Sequence, residues 1–214
     1  MNHLKTRYMA GKAPIIPNAV MLDRLMAEIQ DGLIQNLSWL DVAFGRCQKI
    51  TKTIENKRYV VPMVYCGGWK GHGANDYIEV SPDDKIGNYS FFEILDPQTL
   101  TTEVWAKDIK APFALIFWFD LRTIYKQNDN RNTEKVKADI LKILNGHTQW
   151  HLPFGRVTVN KIYEKAENVY KGYTLYTREL NKGLSISEVD NQYMMHPYYA
   201  MRFEGILEVP ELCE

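Results

Sequence analysis

The chain has 214 residues, 45% hydrophobic and 24% charged, a balance that fits one packed domain and excludes a largely disordered chain. Lysine plus arginine number 26 and aspartate plus glutamate 26, so the formal net charge is zero. A dedicated nucleic-acid binder would carry a basic surplus, whereas near-neutrality favours association with other chains.

Three cysteines, Cys47, Cys66 and Cys213, form neither a CxxC pair nor a secreted framework and are read as reduced thiols. Residues 1–17 lack the apolar core of a signal peptide, and no run reaches membrane-spanning length. The expectation is a chain kept in the cytoplasm, or in a particle assembled there, with no membrane partner. Residues 1–17 carry Lys5, Arg7 and Lys12, and Pro14 and Pro17 break regular structure, which makes this an N-terminal arm. Such an arm either frays or lies across a neighbouring subunit.

Residues 18–37 predict the first helix. Asn18 is placed as its N-cap, and Leu22, Leu25, Met26, Ile29, Leu33 and Leu37 recur at spacings of three and four. Asp23, Glu28, Asp31 and Gln35 take the other side, so the helix packs on a sheet. From Trp39 the pattern changes. Residues 42–52 and 58–65 read as a β-hairpin turning at Glu55-Asn56-Lys57, with Pro62 marking an edge or a bulge.

Residues 66–76, Cys-Gly-Gly-Trp-Lys-Gly-His-Gly-Ala-Asn-Asp, combine four glycines with a lysine. A phosphate loop needs Gly-Lys-Ser/Thr opening a helix, whereas here Lys70 precedes Gly71 and a strand follows. The loop is instead expected to be a flexible projection tipped by Trp69, with Lys70 and His72 beside it, contacting a partner. Residues 77–80 and 89–95 are short strands flanking the turn Ser81-Pro82-Asp83-Asp84. Asp83 and Asp84 lack a second carboxylate cluster to complete a cation site.

Residues 112–120, Pro-Phe-Ala-Leu-Ile-Phe-Trp-Phe-Asp, form a nearly unbroken apolar run, read as a strand covered on both faces. A polar bridge over residues 125–132, with Tyr125 and Asn128, is expected to be a contact loop at a subunit edge. Residues 133–144 then predict a helix burying Val136, Ile140, Ile143 and Leu144, stopped by Gly146 at C′. His147 and His151 lie four apart but beyond the helix, with no Glu or Cys in the segment to complete a metal site.

Residues 155–163 alternate as a strand, and residues 164–182 read as a loop with a short helix, carrying Tyr170, Tyr173 and Tyr176 three apart. Residues 185–192 are polar, and residues 198–209 form the last strand. Glu204, Glu208, Glu211 and Glu214 make this end acidic where the arm is basic, so the two ends either pair between subunits or are solvated. The predicted fold is α+β: a mixed, mostly antiparallel sheet packed by two main helices. It forms a single domain over residues 18–214, with long excursions at 66–76 and 164–192.

No G-x-S-x-G, H-E-x-x-H or cysteine motif is present, so no catalytic residue, cofactor or metal is assigned. Asp120 interrupts an apolar strand and is the best candidate for a perturbed carboxylate. Its ordinary explanation is that it begins the exposed end of the strand, paired with Arg122 or Arg131.

Three pieces carry a family resemblance. They are the helix over residues 18–37, the strand over 113–120 with the following Asn132-Thr133-Glu134-Lys135-Val136 and Ile140-Leu141-Lys142-Ile143-Leu144, and the final His196-Pro197-Tyr198-Tyr199-Ala200-Met201-Arg202-Phe203-Glu204-Gly205. In this order they resemble the tail-terminator and neck proteins of tailed bacteriophages. The chain also resembles the ring proteins that crAss-like phages stack between portal and tail.

The resemblance implies a structural virion protein: a closed ring of twelve copies matched to a portal, or six matched to a tail tube, around a DNA-filled lumen. It implies portal and other neck or tail proteins as partners, and assembly in the host cytoplasm. Trp69, Trp105, Trp150 and the tyrosines after Tyr163 would then be interface anchors. The Gly-rich loop and the excursion after Tyr163 depart from a minimal terminator. Two other readings stand beside it: a protein-interaction module from a mobile element, and an enzyme using Asp120.

Overall fold

The computed structural model describes residues 11–54, 56–82, 85–103, 106–125, 132–146, 155–174 and 196–210. The chain enters through helix α1 (Met21–Asn36), then strands β1 (Val42–Ile54), β2 (Lys57–Tyr65), β3 (Tyr77–Glu79), β4 (Tyr89–Ile94), β5 (Thr99–Glu103) and β6 (Ala106–Asp120). Helices α2 (Leu121–Ile124) and α3 (Thr133–Gly146), strand β7 (Arg156–Tyr163), helix α4 (Ala166–Val169) and strand β8 (Tyr198–Pro210) complete it. All eight strands join one sheet in the order β3-β2-β1-β4-β6-β8-β7, with β5 also on β6. Only β1 and β4 run parallel. The fold is α+β, with the mixed, mostly antiparallel sheet and two main helices that the sequence predicts.

β6 is the spine. It pairs with β8 from Asp108 to Asp120, and on its other side with β5 from Ala106 to Lys110 and β4 from Phe113 to Trp118. Alternate residues of a strand face opposite sides, so the apolar run supplies two cores at once. Phe113, Leu115, Phe117 and Phe119 meet Leu25, Ile29 and Leu33 of α1 and Val136, Ile140 and Leu144 of α3. Ala114, Ile116 and Trp118 face the other way, among Phe44, Tyr89, Phe91, Trp69, Val169, Tyr170 and Tyr173. Each fully buried large apolar side chain contributes roughly 1.5–3 kcal/mol.

Several boundaries differ from the sequence reading, each for a local reason. Asn18 is left-handed (φ 57°) in a turn, and the N-cap of α1 is Val20, which has no side-chain cap. α3 takes its cap from Asn132, whose Oδ1 accepts from the amides of Glu134 at 3.0 Å and Lys135 at 3.3 Å. Gly146 is the last residue of α3 instead of the residue beyond it. β6 starts seven residues before Phe113, because Thr99–Glu103 folds back as β5 and pairs with its polar first third.

Pro62 fits its ladder: its carbonyl accepts from Val80 N, so its missing donor faces the end of β3 and β1 loses no bond. Residues 11–17, read as part of an arm, lie against the body. Lys12 bridges Val42, and Gln30 Nε2 donates to the carbonyls of Pro14 (3.2 Å) and Ala43 (2.7 Å).

Gly205 sets how closely β8 approaches its neighbours. A Cβ there would fall 1.8 Å from the Thr158 carbonyl oxygen, beside the register shift of β7 between Val159 and Lys161. Gly205→Ala is expected to destabilise the fold by about 3 kcal/mol, measured by urea unfolding.

Candidate functional site

β1 and β4 run side by side only as far as Arg46 and Phe92, with a register shift after Ala43. Beyond that point β1 leaves with β2, and a cleft of about 710 Å³ opens between the diverging strands. Asp23, Arg46, Cys47, Lys49, Glu93 and Asp96 are among the residues that line it.

Charge at its floor is organised by two buried residues, Glu93 (4% exposed) and Arg202 (2% exposed). Arg202 Nη1 donates to Glu93 Oε2 at 2.9 Å and to the Val169 carbonyl at 3.3 Å, and its Nε donates to Glu204 Oε1 at 2.8 Å. Lys49 Nζ pairs with the second oxygen of Glu93 and lies 4.9 Å from the centre of the Tyr173 ring. Burial alone would lower the Arg202 pKa, but the carboxylates of Glu93 and Glu204 outweigh it and hold the value above the ordinary one. The network ties β1, β4 and β8 to the α4 segment without leaving a buried charge unpaired.

Its neighbours are held in neutral forms. Burial pushes the Cys47 thiol up to about 11, against the opposing effect of its 3.2 Å hydrogen bond with the Tyr173 hydroxyl. Burial likewise raises Tyr173 and Tyr170, whose hydroxyl lies 3.4 Å from that of Tyr89. At neutral pH Cys47 therefore stays a thiol, and the buried tyrosines behind it stay phenols. At the mouth, Asp23 is raised by burial while Arg46 pulls it down, and its Oδ1 has no hydrogen-bond partner.

Three residues expected at an interface lie inside the protein. Trp69 is only 9% exposed and packs edge-on against Phe44, with ring centres 5.5 Å apart. The projection it was expected to tip is folded back: Gly67 and Gly68 adopt φ of 52° and 72°, Trp69 N bonds the Cys66 carbonyl, and Cys66 N bonds the Asp76 carbonyl. Tyr170 and Tyr173 are buried in the core on the same face. Their three-residue spacing comes from a tight turn after α4, where Tyr173 N bonds the Tyr170 carbonyl.

The exposed residues of the Gly-rich loop include Lys70 and His72. Lys70 Nζ lies 4.5 Å from the Trp69 ring centre and donates to the carbonyls of Lys85 and of Ile86, the latter at 3.1 Å. It therefore pins the loop to the chain entering β4. Tyr125 is half-buried against the helical core and donates to the Asn132 carbonyl at 2.7 Å, closing the base of the polar bridge. Asn128, Tyr176, Trp105, Trp150, His147, His151, Asp83, Asp84 and Cys213 lie outside the described residues.

Asp120 takes the ordinary role foreseen for it, at the end of β6. Its Oδ1 accepts from the Arg122 amide at 2.8 Å, capping α2, and the Arg122 guanidinium grips both oxygens at 2.7–3.0 Å. Sequence reasoning passed over Glu93 and Arg202, although each is a charge inside an apolar strand, Phe-Phe-Glu-Ile and Ala-Met-Arg-Phe. Asn88 was also missed. It accepts from Asp120 N and donates its side-chain amide to the Trp39 carbonyl and to Thr123 Oγ1, fastening the β1–β4 start to the β6 end.

Among the described residues no group of three His, Cys, Asp or Glu is placed to hold a metal ion, and no helix is long and apolar enough to cross a membrane. Compared with known proteins, the chain matches no family model, and no curated protein is significantly similar to it in sequence. Arg202→Leu would strand Glu93 with one half-exposed partner. It is expected to cost about 3–5 kcal/mol in urea unfolding.

Proposed function

We propose that this chain is a structural virion protein, the subunit of a closed ring in the neck or tail of a tailed phage, joining portal to tail around the DNA channel. It would assemble in the host cytoplasm with portal and other neck or tail proteins, in twelve copies on a portal or six on a tail tube. The resemblance to crAss-like ring proteins supports a position between portal and tail. In this reading the chain has no catalytic role and no cofactor.

The order of its parts supports this, and one structural observation carries it. Among the described residues, six of the seven exposed large hydrophobics divide between the two ends of the sheet. Ile15, Val20, Ile50 and Tyr77 lie on the β1–β3 end or on the segment leading past it into α1. Ile162 and Ile206 lie on β7 and β8, whereas Leu100 lies on β5, on the β4 side of β6. None lies on β4 or β6. A ring subunit needs two different surfaces, one for each neighbour, because its contacts are head to tail. β7 also pairs on one side only among the described residues, leaving a strand edge at that end.

The head-to-tail geometry has a test that a two-fold dimer fails. One variant carries Val20→Glu and Tyr77→Glu; another carries Ile162→Glu and Ile206→Glu. All four positions are exposed, so both variants are expected to keep the wild-type melting temperature. Each alone should be monomeric by native mass spectrometry, and an equimolar mixture should give one-to-one pairs with no ring. Variants that retain the wild-type assembly would sink the reading.

A further inference from the structure

The chain is neutral overall, but its β1–β2 hairpin is not. Residues 42–65 hold five cations, Arg46, Lys49, Lys52, Lys57 and Arg58, against one carboxylate, Glu55. Three of these cations are engaged: Lys49 with Glu93, Lys52 with Glu79 at 2.7 Å, and Arg46 with the charge of Asp23. Lys57 and Arg58, at the turn, are exposed and form no ion pair among the described residues. Thr51 and Thr53, exposed near the same end, add hydroxyl donors.

The charges sit at the far end of the paired strands. Beyond Arg46, where β4 has parted from β1, β3 stays on β2 as far as Met63, and β1 and β2 then pair out to Ile54 and Lys57, with Asn56 left-handed at the turn (φ 62°). Thr174 N bonds the Val60 carbonyl, bracing the outer edge of β2 just behind the charges.

We infer that this hairpin tip is a contact for the phosphate backbone of duplex DNA, made without reading sequence. The setting, a ring enclosing DNA, rests on the reading above; the chemistry rests on the charge distribution. Exposed cations with no ion pair among the described residues call for a polyanion, and duplex DNA presents a charge about every 1.7 Å of axis. A protein partner fits less well, since protein interfaces are depleted in lysine and anchored by large apolar groups. At the tip, Lys57, Arg58, Thr51 and Thr53 provide charge and hydroxyls, and counting Glu55 in the sequence the local balance stays positive. Two phosphate contacts per copy make binding weak and salt-sensitive, falling roughly tenfold between about 50 and 200 mM salt. Copies held in one ring would act together.

The test uses the full chain, a labelled duplex of arbitrary sequence and fluorescence anisotropy, with native mass recorded on the same samples. Wild type is expected to bind at low salt, equally for unrelated sequences, and to release the duplex as salt rises. The Lys57→Glu, Arg58→Glu variant should lose at least about tenfold in affinity with its assembly state and melting temperature unchanged. Absence of wild-type binding at low salt, or a variant that binds as well as wild type, overturns the inference. So does a variant that keeps DNA binding but loses assembly, which would make the hairpin a protein contact. A monomer whose DNA binding depends on the hairpin would refute the ring and leave this contact standing; a ring indifferent to DNA would do the reverse.

Discussion

A strand buried on both faces obliges the rest of the chain to supply two covers, and β6 is that strand. From Phe113 to Phe119 every side chain is buried, with odd positions on one side and even positions on the other. The amphipathic helices α1 and α3 close the first side in the ordinary way. Among the described residues nothing comparable closes the second. There the chain uses a Gly-rich loop folded over Phe44 and an irregular segment that delivers Val169, Tyr170 and Tyr173. Two stretches that look like surface excursions are therefore parts of the core, and hydrophobic burial of the spine is what holds them in place.

That second cover has a polar consequence. Pressing the α4 segment onto the sheet buries Glu93 and Arg202, and buried ions must be paired. The Lys49–Glu93–Arg202–Glu204 network meets that demand and fixes where β1 departs from β4. Among the described residues the departing hairpin lies toward one end of the sheet, while β7 ends it at the other. A sheet with unlike ends, each with exposed apolar residues, suits head-to-tail closure. The cleft left at the departure point is lined by charges of both signs, and its thiol stays protonated.

The regular part of this architecture was legible in the sequence because it rests on periodicity. Leu22 to Leu33 at helical spacing, the apolar run of β6 and the alternation of β7 and β8 each announce a buried face. β5 was not legible, since Thr99–Glu103 is an edge strand without an apolar face. The fate of Trp69 was hidden for a different reason. Glycines at positions 67, 68, 71 and 73 mark a turn-rich loop, but only the three-dimensional pairing of Cys66 with Asp76 decides that it folds inward. Tyr170 and Tyr173 carry no period of helix or strand, so their burial depends on a long-range contact with β4 and β1. Of the candidate residues, Asp120 was read correctly in its ordinary role, because an acid at the end of an apolar strand beside an arginine has a local explanation.

The account stands or falls on whether this subunit closes on copies of itself. The most direct measurement is negative-stain imaging of the purified wild-type protein, with native mass to count subunits. A closed ring of twelve or six copies is the predicted result. A protein that stays monomeric as its concentration is raised, or that stops at a two-fold dimer, would contradict it.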